Sequence, residues 1–368
     1  MIRFPEGNAI VYCQGAYGTT NGKTAHGLVR RTRRYTVLSV VDARCAGRDA
    51  RELLDGTTSN IAIYTDITAA FEAADHRGGN APKPTHLVVG LAPDGGRLPA
   101  GARREIATAL ELGLNVDSGL HDFLSEDPEL TQIAERSGAA IRDIRKPPDR
   151  AQLHFFTGKI EQVESLKVAV LGTDSAVGKR TTAWLLVDAI RGAGRSAELV
   201  GTGQTAWMQG ARYSIVLDSL VNDFVAGEIE HAVWSAWNEA RPDVIVIEGQ
   251  GSLMNPAYPG GHEIIAAGRP DIVVLQHAPG RKEYDGFPGY PLHPLSLQIR
   301  VIELLSGKPV VAIAVNHEGM NPEQTDAAVA AIQSETGRPC CAPLRSGVNP
   351  ILEALLPFAA QGNRLGNG

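Results

Sequence analysis

Cysteine is scarce in this sequence, with four in 368 residues, and Cys13, Cys45, Cys340 and Cys341 follow no metal-ligand spacing. A zinc site or a disulfide scaffold is therefore not expected, no metal ligands are assigned, and the thiols read as reduced ones in a cytoplasmic protein. Aromatic residues are equally sparse at 5%. No apolar run approaches the roughly 20 residues that cross a bilayer. The chain enters a strand-like run at 9–13 with no signal-peptide pattern before it, so no membrane partner is expected. No Lys/Arg-rich stretch stands out and the formal net charge is −6, which argues against a nucleic-acid surface. What is abundant is glycine, 40 residues of it, a composition that suits an α/β enzyme with many short turns. The length is ample for two domains, each with its own core.

The stretch around which the chain is organised begins at Lys167. An apolar run at 168–171 reads as a buried strand of a parallel sheet. It leads into Gly172-Thr173-Asp174-Ser175-Ala176-Val177-Gly178-Lys179, and a helical pattern covers 181–193. Strand, glycine-bounded loop, lysine and helix together form a phosphate cradle. Glycines let backbone N–H groups turn toward the oxygens, the lysine adds charge, and the helix N-terminus adds its partial positive end. Nucleotide triphosphatases place Ser or Thr directly after the lysine to hold Mg²⁺. Here Arg180 stands there, with Thr181 and Thr182 behind it. Arginine binds anions and does not ligate metals, so the loop reads as a phosphate holder more than a magnesium-dependent hydrolysis centre.

Residues 1–148 form the first expected domain, with strands at 9–13, 36–41, 61–64, 86–91, 115–117 and 140–144 and helices at 66–74, 99–112 and 127–137. This alternation predicts a doubly wound, mostly parallel sheet. The first turn, from Gly15 to Gly27, has the layout of a dinucleotide-type turn without its usual glycine spacing, and Asp42 ends strand two as a ribose-reading acid would. Lys23 and Thr24 make it a second phosphate-loop candidate. His121 either acts in catalysis or orients its loop. Consecutive prolines at 147 and 148 mark the connection to the second domain, 149–368.

That second domain alternates again: strands at 168–171, 197–200, 214–217, 244–247, 272–276 and 310–315, helices at 181–193, 223–239, 294–305, 322–335 and 350–358, and a loop at 201–205. In a parallel sheet the strand ends converge on one edge. Asp218 and Asp223, Glu248 with Gln250, Gln276–Tyr284, and Asn316 all fall there beside the Lys179 loop. A carboxylate such as Glu248, leaving a buried strand, needs a partner: a metal, a ligand ammonium, a lysine or a helix N-terminus. Asp218 and Asp223 serve either a substrate or a neighbouring turn.

In that order, the Gly172–Lys179 loop, Glu248-Gly-Gln-Gly and strand-terminal Asn316 resemble the dethiobiotin synthetase branch of P-loop proteins. The resemblance implies magnesium at Glu248 and adenine at Asn316, while at Arg180 the metal role fails. The whole chain resembles more fully the DUF1611 family, whose founding members are D-glutamate N-acetyltransferases of the DgcN type. The matching stretches are Gly22-Lys-Thr-Ala-His-Gly27, Gly95-Gly-Arg-Leu-Pro99, Ser118-Gly-Leu-His-Asp-Phe-Leu124, the Lys179 loop, and His277 through Pro294.

The family resemblance implies an N-terminal Rossmann-like domain, a C-terminal P-loop domain, acetyl-CoA as donor and an acidic amino acid as acceptor, D-glutamate foremost. Coenzyme A carries phosphates that need holding and not cleaving, which suits Arg180. Residues 172–176, Gly178, Lys179, Arg180, Thr181, Thr182 and Asn316 are then the cofactor contacts. His277 is the first candidate for general base and Glu248 the second. Arg281 and Lys282 would clamp the acceptor's carboxylates, with Lys23, Thr24, Asp218, Asp223, Gln250 and Tyr284 as further substrate contacts. Tyr284, Tyr290 and His293 lie in a Gly/Pro-rich segment able to close as a lid. A homo-oligomer is expected. The competing readings are a synthetase or kinase using Mg-ATP, and a nucleotide sensor without turnover.

Overall fold

The computed structural model describes residues 4–76 and 82–365. The chain forms two compact units, Met1–Pro148 with Gln204–Gly210, and Asp149–Gly203 with Ala211–Gly368. The two-part division expected at 148/149 did not anticipate the return of Gln204–Gly210 to the first unit.

In the first unit the strands are β1 (Gly7–Tyr12), β2 (Tyr35–Val41), β3 (Ala62–Tyr64), β4 (His86–Val89), β5 (Asn115–Ser118) and β6 (Ile141–Asp143). Between them run α1 (Lys23–Arg30), α2 (Ala50–Asp55), α3 (Ile67–Asp75), α4 (Ala102–Glu111) and α5 (Pro128–Ser137). The sheet order is β3-β2-β1-β4-β5-β6, parallel at every pairing, which is the Rossmann-like arrangement. Local chemistry sets the helix starts. Asp49, Asp66 and Asp127 each accept backbone N–H groups of the helix they open, and α5 adds Pro128 at its first turn and Gly138 in left-handed conformation at its end.

The second unit contains β7 (Leu166–Gly172), β8 (Ala197–Gly201), β9 (Tyr213–Ser214), β10 (Val244–Glu248), β11 (Ile272–His277), β12 (Val310–Val315) and β13 (Cys340–Cys341). Its helices are α6 (Lys179–Gly192), then, beyond the returning segment α7 (Gln204–Met208), α8 (Asn222–Ala240), α9 (His262–Gly268), α10 (Leu295–Ser306), α11 (Pro322–Thr336), α12 (Pro343–Ser346) and α13 (Asn349–Leu365). The order is β13-β12-β11-β7-β10-β8-β9, again all parallel. All seven residues of β7 are buried between β10 and β11. A strand walled on both faces and both edges needs a continuous apolar run, and that run is the one visible at 168–171.

The short helices α2, α9 and α12 were not expected from the sequence, and three further differences stand out. The strand expected at 214–217 is only Tyr213–Ser214, after which the chain turns into a 3₁₀ segment at Leu217–Ser219. The 201–205 loop runs into α7, five residues long and too short for a helical period to show. Within the first unit α7 is fastened to α1 and β2. Gln209 donates to the carbonyls of Gly27 and Arg31 at 2.8 and 3.0 Å, and Arg34 donates to Trp207 O at 2.7 Å with its guanidinium 3.5 Å over the Trp207 ring. The third is β13, where the paired cysteines are buried, unbridged strand residues.

Candidate functional site

At the carboxyl end of β7 the chain makes a six-residue loop, 173–178, before α6. Gly178 adopts φ 104°, ψ 14°, a left-handed conformation that side chains resist. It turns the leading N–H groups of α6, which helix geometry leaves without i−4 carbonyls, toward the loop. A Cβ on Gly172 would stand 2.8 Å from Lys179 Cδ and 2.9 Å from Nζ, so the bare glycine lets the lysine fold back over the strand end. Lys179 is 7% exposed, and its ammonium donates to the carbonyls of Asp174 and Gly251 at 2.7 Å each. The product is a tight turn at the strand end with a buried cation folded over it.

Several residues read as cofactor contacts hold the loop instead. Thr182 donates its hydroxyl to Gln276, and Thr173 Oγ1 lies 2.9 Å from His277 Nδ1. Both are buried, because the inner face of the loop packs against the end of β11. Ser175, Arg180 and Thr181 are half-buried and Ala176 is exposed at φ 51°.

Asp174 is the centre of this packing. Its carboxylate is fully buried and accepts four donors: Ser175 N at 2.7 Å, Asn255 Nδ2 at 2.8 Å, Arg281 Nη1 at 2.8 Å and Asp285 N at 2.9 Å. One carboxylate thus ties the phosphate loop to the loop after β10 and to the segment after β11. A charge so deep is tolerable only with such a full set of partners. Asp174 is therefore an anchor and not a cofactor contact. Arg281 also donates to Ser175 O and to Glu318 Oε2, at 2.8 and 2.7 Å. Its fork is occupied by the protein, which corrects its reading as a substrate clamp. Sequence reasoning missed Asn255, Asp285 and Glu318. Asp285 acts through its backbone N–H, so its side chain carries no signal of it.

Glu248 ends β10 at 5% exposure and accepts Thr202 N at 3.0 Å. Burial raises its pKa, against the lowering pull of the Arg180 charge and, more weakly, of Lys179. His277 ends β11 at 9% exposure, and burial lowers its pKa to about 4. It is neutral at pH 7, as expected, but so weakly basic that a proton gains little by moving there. Gln250 donates to Thr202 O at 2.7 Å. Asn316 donates to Val177 O at 3.0 Å and accepts Glu318 N at 2.9 Å, so each end of its amide already serves the loops and the adenine role is not supported.

Lys282 is exposed on the segment after β11. Tyr284 is 3% exposed with its hydroxyl 2.8 Å from His293 Nδ1, so that hydroxyl serves its own segment and is not held out for an acceptor substrate. Asp218 is an exposed residue of the 3₁₀ segment, and Asp223 is an exposed acid in the first turn of α8, where the helix dipole favours it.

The first unit has its own turn after β1. Lys23 is exposed, while Thr24 is buried with Oγ1 2.9 Å from Thr205 Oγ1, so its hydroxyl faces α7 and not a ligand. Asp42 accepts Tyr17 N at 2.8 Å and Arg44 N at 2.9 Å, which commits the supposed ribose reader to the turn's own backbone. His121 is exposed and donates its backbone N–H to Gly96 O at 2.7 Å, with its ring against Gly96, an arrangement that orients the loop.

Comparison with known proteins agrees with this architecture. Residues 154–352 match the DUF1611 C-terminal P-loop domain and residues 43–147 the DUF1611 N-terminal Rossmann-like domain, both described as domains of unknown function. A protein of Tritonibacter scottomollicae named D-glutamate N-acetyltransferase is 29% identical over 276 residues, 73% of this chain and 80% of that one. A Pseudoalteromonas protein of the same name is 30% identical over 275 residues, with the same coverage. The crystal structure of a DUF1611 family protein from Anabaena variabilis ATCC 29413 is 31% identical and superposes with a TM-score of 0.86 over 96% of this chain and all of that one. Among the described residues no helix is long and apolar enough to cross a membrane. With both halves of the architecture matched, and a solved member following the chain almost end to end, this protein belongs to the DUF1611 family.

Proposed function

We propose that this chain is an N-acetyltransferase that moves an acetyl group from acetyl-CoA to the amine of an acidic D-amino acid, D-glutamate first. The observation that carries the reading is the pair of relatives named D-glutamate N-acetyltransferase, each aligned over 73% of this chain. The loop chemistry is compatible with it. A Cβ at Gly178 would lie 3.8 Å from Gln276 Nε2, so bare backbone and the Gln276 amide face each other there. Together with Lys179 and Arg180 these suit the phosphates of a coenzyme, held as a handle.

Acyl transfer joins the amine nitrogen to the acyl carbon, breaks the carbon–sulfur bond and releases the thiol, and the amine must shed a proton. Glu248 is the better acceptor for that proton, since burial raises its basicity. His277, depressed to about 4, instead holds Thr173 and the loop. With Arg281 occupied, Lys282 is the cation of its segment left to meet an acceptor carboxylate. The protein is expected to act as a cytoplasmic homo-oligomer, which sedimentation of the full chain would measure.

The test is thiol release from acetyl-CoA across D- and L-amino acids, with and without Mg-ATP. Release that requires an acidic D-amino acid and ignores Mg-ATP is the expected result. Formation of ADP or phosphate that requires Mg²⁺ would overturn it in favour of a synthetase or kinase.

A further inference from the structure

If Asn316 does not read a base, a nucleotide-bearing ligand on the Lys179 loop needs another seat for its ring. A cavity of about 380 Å³ opens in the second unit between Met254 and Pro256, on the loop after β10, and Tyr284, Tyr290, Leu292 and His293, on the segment after β11. Its volume lies in the lower part of the roughly 300–1,000 Å³ range of small-molecule sites. Both walls are fastened to the phosphate loop by the same carboxylate: Asn255, between Met254 and Pro256, donates to Asp174, and Asp285, next to Tyr284, donates to it through N–H. The second wall is stiffened by Tyr284 N bonding Tyr290 O at 3.0 Å and Leu292 N bonding Lys282 O at 2.9 Å.

The chemistry of the walls selects among the parts of a ligand. These side chains are aromatic, aliphatic, proline or thioether, and none is a fixed cation. Carboxylates or phosphates placed there would lose water without gaining a partner. The Tyr284 hydroxyl and His293 Nδ1 satisfy each other at 2.8 Å, which leaves the second imidazole nitrogen to meet a polar ring edge. Tyr290 is 55% exposed and 6.5 Å, ring to ring, from Phe287, so it presents a free aromatic face beside the opening. A flat, uncharged heteroaromatic ring suits such a slot by stacking.

We infer that this cavity, walled by Tyr284, Tyr290, Leu292 and Met254, binds the adenine ring of a ligand whose phosphates sit on the Lys179 loop. The inference holds for coenzyme A and for an adenine nucleotide alike, so it does not fall with the acetyltransfer reading.

The experiment is calorimetric titration of the full chain with adenosine 3′,5′-bisphosphate, CoA and pantetheine, for the wild type, Tyr290→Ala and Tyr290→Phe. Loss of one stacking face should raise Kd for the bisphosphate and for CoA about tenfold. Tyr290→Phe should restore both, and pantetheine binding should not respond. Circular dichroism of each variant checks the fold. Unchanged Kd values for the bisphosphate and CoA in Tyr290→Ala would overturn the assignment. So would an equal loss for pantetheine, which would give the cavity to the thioester arm, or a wild type that binds neither adenine-bearing probe. Thiol release is measured separately. Its absence alongside a Tyr290-sensitive bisphosphate Kd would sink the acetyltransfer reading and leave the adenine seat standing.

Discussion

Two turns of this chain carry nearly the same short string, a glycine and a lysine after a strand with threonine close behind, and they do different things. At Gly178 the backbone is left-handed, φ 104°, and Lys179 lies buried with its ammonium on two carbonyls. At Gly22 the backbone is ordinary, φ −88°, Lys23 is exposed, and Thr24 is buried against Thr205. Gly22 is glycine for packing, since a Cβ there would come within 2.7 Å of Ala16 O. Glycine can thus be required for conformation or for space. Only at Gly178 does the conformation itself demand glycine at the helix start. The acids beside the two turns differ as well: Asp42, at the end of β2, accepts one backbone N–H of the first turn and one of its own, whereas Asp174 knots three segments of chain together.

The comparison breaks most visibly at the reacting group. Glu248→Gln should lower kcat of thiol release by about 10²–10⁴ with KM for acetyl-CoA little changed. A kcat within threefold of wild type would remove this carboxylate from proton transfer. Next come the two acids. Asp174→Ala leaves Arg281 buried beside a lost partner and should cost about 3–5 kcal/mol in urea denaturation, against about 1–3 kcal/mol for Asp42→Ala. Equal losses would mean that the knot does no more than a cap.

Acid titration sharpens the picture of the second site. His277 has its pKa lowered from 6.5 to about 4 by burial, so its contribution to stability is complete above pH 6.5 and lost as pH falls through 4. That contribution is about 3 kcal/mol. Glu248, raised by burial, has the opposite sign: its contribution is present below the ordinary carboxylate range and lost as pH rises through its raised value. In His277→Gln the fall of stability between pH 6.5 and 4 should flatten, and an unaltered slope would assign it to other groups.

The lysines separate the turns directly. Lys179→Ala should raise Kd for acetyl-CoA roughly 10- to 100-fold through lost charge-assisted bonds, while Lys23→Ala stays within about twofold of wild type. Matching effects would make the first turn a second phosphate site. The smallest effect is expected for Thr24→Val, about 1 kcal/mol of stability with no change in Kd, since its hydroxyl faces Thr205.

Much of the architecture was legible because parallel sheets buried on both faces demand continuous apolar strands, and the runs ending at Tyr12, Val41, Gly172 and His277 show them plainly. What escaped had no periodic signature. Helices α2, α7 and α9 are five to seven residues long and β13 is two, while β9 kept only the start of the strand expected at 214–217. The site was legible in outline only. The loop's glycines and Lys179 carry a pattern, but Asn255 and Glu318 are ordinary loop residues in sequence, and Arg281 looked free because its partners lie 107 and 37 positions away.

By itself the sequence determined the two parallel sheets, the strand that leads into the Lys179 loop, and the membership of this chain among DUF1611 proteins. The sheets and the strand follow from local regularities, apolar runs, glycines where backbone must turn and caps beside helices, whereas the membership rests on the resemblance of whole motifs to the family's. Only the tertiary structure decided which charges meet. It put Arg281 on Asp174 instead of a ligand, drained His277 of basicity while raising that of Glu248, and carried α7 back into the first unit. The reason is physical. A residue's conformational preference resides in its own backbone and neighbours, but its pKa and its hydrogen-bond partners depend on what the rest of the chain buries around it.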